Sequence, residues 1–116
     1  MSASFCEICQ IAEVLAEPRL QSASVRITGR LDAYDAQRNV ASVSFQGASM
    51  TVDTRLLATD HLQLRVGSMF QFLGETSRAA NAEVRLAARV GRNVDSLDID
   101  LFLEALALRR QFLASR

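Results

Sequence analysis

The sequence predicts a mainly β domain: a five-stranded OB-fold barrel with an N-terminal helix and a C-terminal α-helix. Three observations predict it. Apolar residues recur with period two in five runs between Ser24 and Val90. The first run is long and carries an internal glycine, Gly29, of the kind that marks a bulge or bend at a barrel corner. Behind the last run comes a segment, Asp98 to Arg116, with no Gly or Pro and rich in Leu, Ala, Glu and Arg, the strong helix formers. A chain of 116 residues makes one domain of ordinary size. The expected division is a helix over about 4–16, a barrel over about 22–91 and a final helix over about 97–114.

The N-terminal stretch "SFCEICQIAEVLAE" reads as an amphipathic helix, with Phe5, Ile8, Ala12 and Leu15 on one face. Ser4 and Glu7 have capping-box spacing, and Pro18 ends the helix. Cys6 and Cys9 form a C-x-x-C pair. A zinc site needs four ligands, and the one further soft ligand is His61. A thioredoxin-type motif needs a βαβ setting, which the pattern lacks. Both cysteines therefore read as small, half-buried helix residues, and neither a metal nor a cofactor is expected.

The strands come next. "SVRITGRLDAY" alternates Val25, Ile27, Gly29, Leu31 and Ala33 inward with Arg26, Thr28, Arg30, Asp32 and Tyr34 outward. "DAQRN" is a turn, "VASVSF" the second strand, "QGAS" a hairpin turn and "MTVDT" the third strand. "LLATDHLQLRVGS" carries leucines at helix-like spacing and predicts a short helix or helical loop, which favours an OB barrel over an SH3-like one. "MFQFLGE" is the fourth strand, closed by Gly74. "EVRLAARV" is the fifth, with Val84, Leu86, Ala88 and Val90 in and Glu83, Arg85, Ala87 and Arg89 out.

The final helix has two apolar stripes. At about 100° per residue, Leu97, Leu101, Ala105, Leu108 and Phe112 share one side. Ile99, Leu103, Leu106 and Leu113 share the opposite side, with Phe102 beside them. Asp95 or Ser96 is the expected cap. One flat surface cannot bury both stripes. A second stripe of four aliphatic side chains left wet forgoes on the order of 6–12 kcal/mol, an upper estimate that rivals the stability of a whole domain. One stripe is therefore assigned to the barrel and the other to a partner. The partner-binding set is Leu101, Ala105, Leu108 and Phe112, flanked by Arg109 and Arg116. The competing arrangement turns Leu103, Leu106 and Leu113 outward.

Composition narrows the function. The 13 basic and 13 acidic residues cancel, so no broad field draws in a polyanion, and tight nucleic-acid binding by the chain alone is not expected. No apolar run reaches membrane-spanning length, and the N-terminus lacks the basic flank of a secretory signal, so an intracellular protein is expected. All 13 bases are Arg. Arg26, Arg30, Arg85 and Arg89 alternate outward on the first and fifth strands. They read either as a solvated or partner-facing side, or as weak supporting contacts to phosphates. Tyr34 is the one Tyr and there is no Trp, so base-stacking platforms are scarce. There is no nucleophile elbow and no phosphate-cradling Gly loop. Asp98 and Glu104 lie well apart around the last helix, and Asp100 flanks Glu104 on a solvated side rather than in a cleft, so no catalytic residue is expected and the chain reads as a non-enzyme.

The order "SVRITGRLDAYD", "VDTRLL", "RVGSMFQFLGE", "VRLAARV", "LDIDLFLEALALRRQFL" resembles the smallest subunit of the telomere-capping CST complex. It also resembles the small subunit of replication protein A, through the "GRL" first strand and "DIDLFLEAL". The first resemblance implies an OB fold whose last helix, with an aromatic at the Phe112 position, docks a Stn-one-type OB-fold protein as a heterodimer. It implies a larger CST subunit, single-stranded telomeric DNA bound within the complex, and a nuclear, telomeric location. The alternatives are the equivalent replication protein A subunit or a free-standing OB nucleic-acid-binding module.

Overall fold

The computed structural model describes residues 7–57, 62–81 and 83–114. Glu7–Ile8 forms a short strand, β1, followed by helix α1 (Ile11–Ala16) and a single 3-10 turn (Pro18–Leu20). Then come β2 (Ser24–Asp35), β3 (Val40–Phe45), β4 (Ala48–Asp53), β5 (Met69–Arg78), β6 (Val84–Asn93) and helix α2 (Ile99–Ala114). The pairings run β2–β3–β4–β6–β5 and back to β2, which closes a five-stranded barrel with β1 added in parallel at the edge of β2. Closure leaves the five barrel strands without an open edge.

β2 changes neighbours along its length. Ser24 to Arg30 pair with β5, and Arg30 to Asp35 pair with β3. Gly29 sits at the changeover. A Cβ there would lie 2.5 Å from Val43 Cγ1, 2.9 Å from the Ser44 carbonyl oxygen and 3.2 Å from Ile11 Cδ1. Its role is close approach, and the bulge lies further on, where Leu31 pairs with Val43 but Ala33 pairs with Ser42. The extra residue, Asp32, reverses the faces of the residues beyond it. Ala33, expected inward, is exposed, and Tyr34, expected outward, is half-buried against the core. The two-residue turn Gln46–Gly47, with φ of 50° and 87°, joins β3 to β4.

The core is Val25, Ile27, Leu31, Val43, Val52, Phe70, Phe72 and Leu86, all fully buried, with the Phe70 and Phe72 rings stacked at 5.7 Å. Ile11 and Val14 of α1, both fully buried, join this core. The helix expected over 4–16 is thus shorter at its start: Glu7–Ile8 pairs with Val25–Arg26 and the Cys9 N–H donates to the Arg26 carbonyl. Strand hydrogen bonds there outcompete the helical turn. Glu13, not Glu7, makes the N-terminal contact, accepting from the Gln10 N–H at 2.8 Å. Ser4, Phe5, Cys6 and His61 lie outside the described residues. Cys9 is buried. The connection expected to be helical is a turn at Arg55–Leu56 and irregular chain from Leu62 to Leu64 among its described residues, with Leu57 buried. Leu57, Leu62 and Leu64 pack on the barrel core, while Leu56 is exposed.

The Gln21 amide donates to the Val14 and Leu15 carbonyls at the end of α1 and accepts from the Arg78 guanidinium at 2.6 and 2.9 Å. Buried Thr76 accepts from the Ala23 N–H at 2.9 Å and donates to the Leu20 carbonyl at 2.6 Å. These two side chains fasten the N-terminal segment to β5.

Gly74 does not close β5, which continues to Arg78. A Cβ at Gly74 would sit 2.0 Å from the Ala87 carbonyl oxygen, so β6 crosses where a side chain would be. Leu73 pairs with Val90 while Gly74 pairs with Ala88, so Arg89 is an extra residue on β6. The expected alternation therefore holds from Val84 to Ala88 and then slips. Val90, expected inward, is 56 % exposed.

Candidate functional site

Two surfaces collect the residues of interest. The first is α2. Its start is set by Asp98, whose carboxylate accepts the Leu101 N–H at 3.1 Å. Asp95, a candidate for that cap, instead accepts the Met69 N–H at 2.7 Å and an Asn93 amide N–H at 3.1 Å, tying the end of β6 to the start of β5. Those donors, the Met69 N–H foremost, hold its carboxyl below the usual Asp range.

Ile99 and Leu103 of α2 pack half-buried against the core, and Leu106 is 6 % exposed. One turn on, the Arg110 guanidinium pairs with the Glu13 carboxylate of α1 and donates to the Ile8 carbonyl at 2.8 Å. Burial resists ionisation of Glu13, but the Arg110 hydrogen bond and the Gln10 N–H outweigh it and leave its pKa lowered. The opposite side of α2 is open: Leu101 is 61 %, Leu108 59 % and Phe112 65 % exposed, with Ala105 and Arg109 exposed beside them. The structure thus lays Ile99 and Leu103 on the barrel core, buries Leu106 beyond them, and leaves the Leu101, Ala105, Leu108 and Phe112 stripe outward. Arg116 lies outside the described residues, and the Leu113 side chain is not described. Arg110 was not singled out from the sequence. Its signal, a second Arg at helical spacing from Leu103 and Leu106, becomes legible only once Glu13 is known to face it.

The second surface is the outer face of β2, β5 and β6. The four arginines expected there differ. Arg30 pairs with Asp32 at 3.0 Å, Arg85 with Glu83 at 2.9 Å, and Arg89 with Glu75 at 2.8 Å. The Arg85 guanidinium and the Thr51 hydroxyl hold the Glu83 carboxyl below its usual range. Arg26 carries no side-chain hydrogen bond or ion pair among the described residues. Diagonally across β5 from it stands Arg92, which lies beyond the fifth strand that the sequence predicts. The slip at Arg89 carries it out, where it donates to the Gln71 side-chain oxygen at 2.8 and 3.0 Å. Among the described residues no group of His, Cys, Asp and Glu is arranged to hold a metal ion.

The family described as telomere-capping, CST complex subunit matches residues 3–116. The chain belongs to that family. Within it, the chain is 35 % identical over 94 residues to the CST complex subunit TEN1 of Arabidopsis thaliana, covering 80 % of this chain and 72 % of that protein. The fold is shared with solved structures at low identity. Against a crystal structure of the S. pombe Stn1–Ten1 complex the TM-score is 0.75 at 12 % identity, over 95 % of this chain and 96 % of that one. Against S. pombe Ten1 it is 0.74 at 12 % identity, over 92 % and 99 %. The same barrel also occurs in the hypothetical protein YgiW of E. coli, with a TM-score of 0.65 at 10 % identity over 79 % and 99 %.

Proposed function

We infer that this CST-family subunit is non-catalytic and acts by holding a Stn1-type OB-fold protein in a heterodimer through the outward stripe of α2. The pair then joins a larger CST subunit on single-stranded telomeric DNA in the nucleus and supports telomere capping and replication. The observation that carries the reading is Leu101, Leu108 and Phe112, each about three-fifths exposed on a helix whose opposite stripe is already docked. An apolar helix face of this kind suits a partner helix laid along it. Ala105 lets backbones approach, Phe112 supplies an aromatic anchor, and Arg109 and Arg116 supply charge at the rim. The family match favours this reading over the replication protein A subunit and over a free-standing nucleic-acid binder.

DNA contact by this chain is supporting only. At Arg30, Arg85 and Arg89 a phosphate would have to displace a carboxylate already in place. Co-expression with the Stn1-type partner tests the assignment. Leu108→Glu and Phe112→Glu are expected to abolish co-purification while the barrel keeps its far-ultraviolet spectrum and melting temperature. Each places a charge in the centre of the contact, where burying it unpaired costs several kcal/mol. Normal co-purification of both variants defeats the placement.

A further inference from the structure

We propose that the outer face of β2, β5 and β6 is a second docking site, which takes an extended acidic segment of a partner protein with the pattern acidic–x–aliphatic–x–acidic. A groove of about 250 Å³ lies there, lined by Arg26, Gln71, Phe72, Leu73, Val90 and Arg92. Its residues come from three strands in register. Arg26, Leu73 and Val90 form one row, and Gln71 and Arg92 the next. The two arginines therefore stand diagonally, with an aliphatic floor between them. Two strand spacings and one two-residue step put their Cα atoms about 12 Å apart.

Three features define the occupant. The cations are available: Arg26 has no side-chain partner among the described residues, and Arg92 spends only two of its five N–H donors on Gln71. Gln71 is 9 % exposed and so holds Arg92 in place before any ligand arrives. The neighbouring row shows what satisfies an arginine on this face, because Arg89 meets the Glu75 carboxylate at 2.8 Å. The floor is Leu73 and the 56 % exposed Val90, which suit an aliphatic side chain. No aromatic ring is presented for a base to stack on, since the Phe72 ring is fully buried, and that disfavours a nucleic-acid strand. In an extended peptide, residues i and i+4 lie on one face about 13 Å apart with i+2 between them. Carboxylates at those ends reach Arg26 and Arg92, where bidentate pairing is strong, and the central side chain covers Leu73 and Val90.

The test is a titration of the isotope-labelled 116-residue chain with the synthetic peptide SESLSES, followed by backbone amide resonances. Resonances of Arg26, Gln71, Leu73, Val90 and Arg92 are expected to move. Arg26→Ala and Arg92→Ala should each weaken binding about tenfold. Arg85→Ala, on the same sheet but already paired with Glu83, should leave it within about twofold. The spectra of the variants report their folding directly. Four results overturn the proposal: no movement at millimolar peptide, equal binding by the uncharged SQSLSQS, movement of the patch by an oligothymidylate of about twelve nucleotides but not by the peptide, or movement on raising the protein concentration alone. The last two would assign the face to nucleic acid or to a second copy of the chain.

Discussion

Gly74→Ala changes one hydrogen into a methyl group, and its cost comes from the crossing of β5 and β6. The new Cβ would lie 2.0 Å from the Ala87 carbonyl oxygen, 2.7 Å from its carbonyl carbon and 2.9 Å from Ala88 Cα. Carbon–oxygen contacts in sheets stay at about 3.3 Å or more, so one backbone must retreat by about 1.3 Å. All three obstructing atoms are main chain, and no rotamer relieves them. A shift of that size breaks two or three ladder hydrogen bonds around the Leu73–Gly74 bulge, at about 1 kcal/mol each, and adds an overpacking cost of about 1–3 kcal/mol. The stiffer unfolded chain returns about 0.4–1 kcal/mol. The net destabilisation is about 3–5 kcal/mol. With an unfolding entropy of about 2.1 cal/mol/K per residue, that lowers the melting temperature by about 12–20 °C. Gly47→Ala is the control. Nothing lies within 4 Å of its Cβ position, and its φ of 87° alone costs about 1 kcal/mol, or about 4 °C. Thermal melts by circular dichroism measure both. If Gly74→Ala melted within a few degrees of Gly47→Ala, the tight crossing would be refuted. With it would go the slip that turns Val90 and Arg92 outward.

Two further outcomes concern side chains that fasten segments together. Thr76→Val keeps the shape of a buried residue but strands the Ala23 N–H and the Leu20 carbonyl, so urea denaturation should show a loss of about 1–3 kcal/mol with an unchanged slope. Glu13 is more acidic in the folded chain than in the unfolded one, so the stability it adds is complete above its unfolded pKa of about 4.3 and is lost as pH falls through the lower folded value. Protection factors of the α2 amides, taken against intrinsic exchange at each pH, should therefore fall in acid below about pH 4 in the parent chain. In Arg110→Met the protection should already be low at neutral pH, with that acid step removed; an unchanged acid step would separate Glu13 from the docking of α2.

Period-two alternation sufficed for the five barrel strands, because a strand with one face in a core must alternate. Helix periodicity likewise sufficed to show that α2 carries more apolar surface than one contact can cover. The Ser4–Ala16 reading failed at its start because Glu7–Ile8 satisfies its backbone against β2, a partner distant in sequence. Alternation failed at Ala33, Tyr34 and Val90 for one reason. A bulge adds a residue on one strand only opposite its neighbour, and a single strand's sequence carries no count of the other. Among the arginines, residue type showed cationic side chains facing outward. Which of them were already neutralised was decided by carboxylates two residues away at Arg30 and Arg85, and on the next strand at Arg89. The sequence by itself determined a five-stranded β domain ending in a two-striped helix. Tertiary structure alone decided that the Leu101, Leu108 and Phe112 side stays open and that Arg26 and Arg92 share a groove, because both depend on through-space pairings, Arg110 with Glu13 and Leu73 with Val90, that local periodicity does not encode.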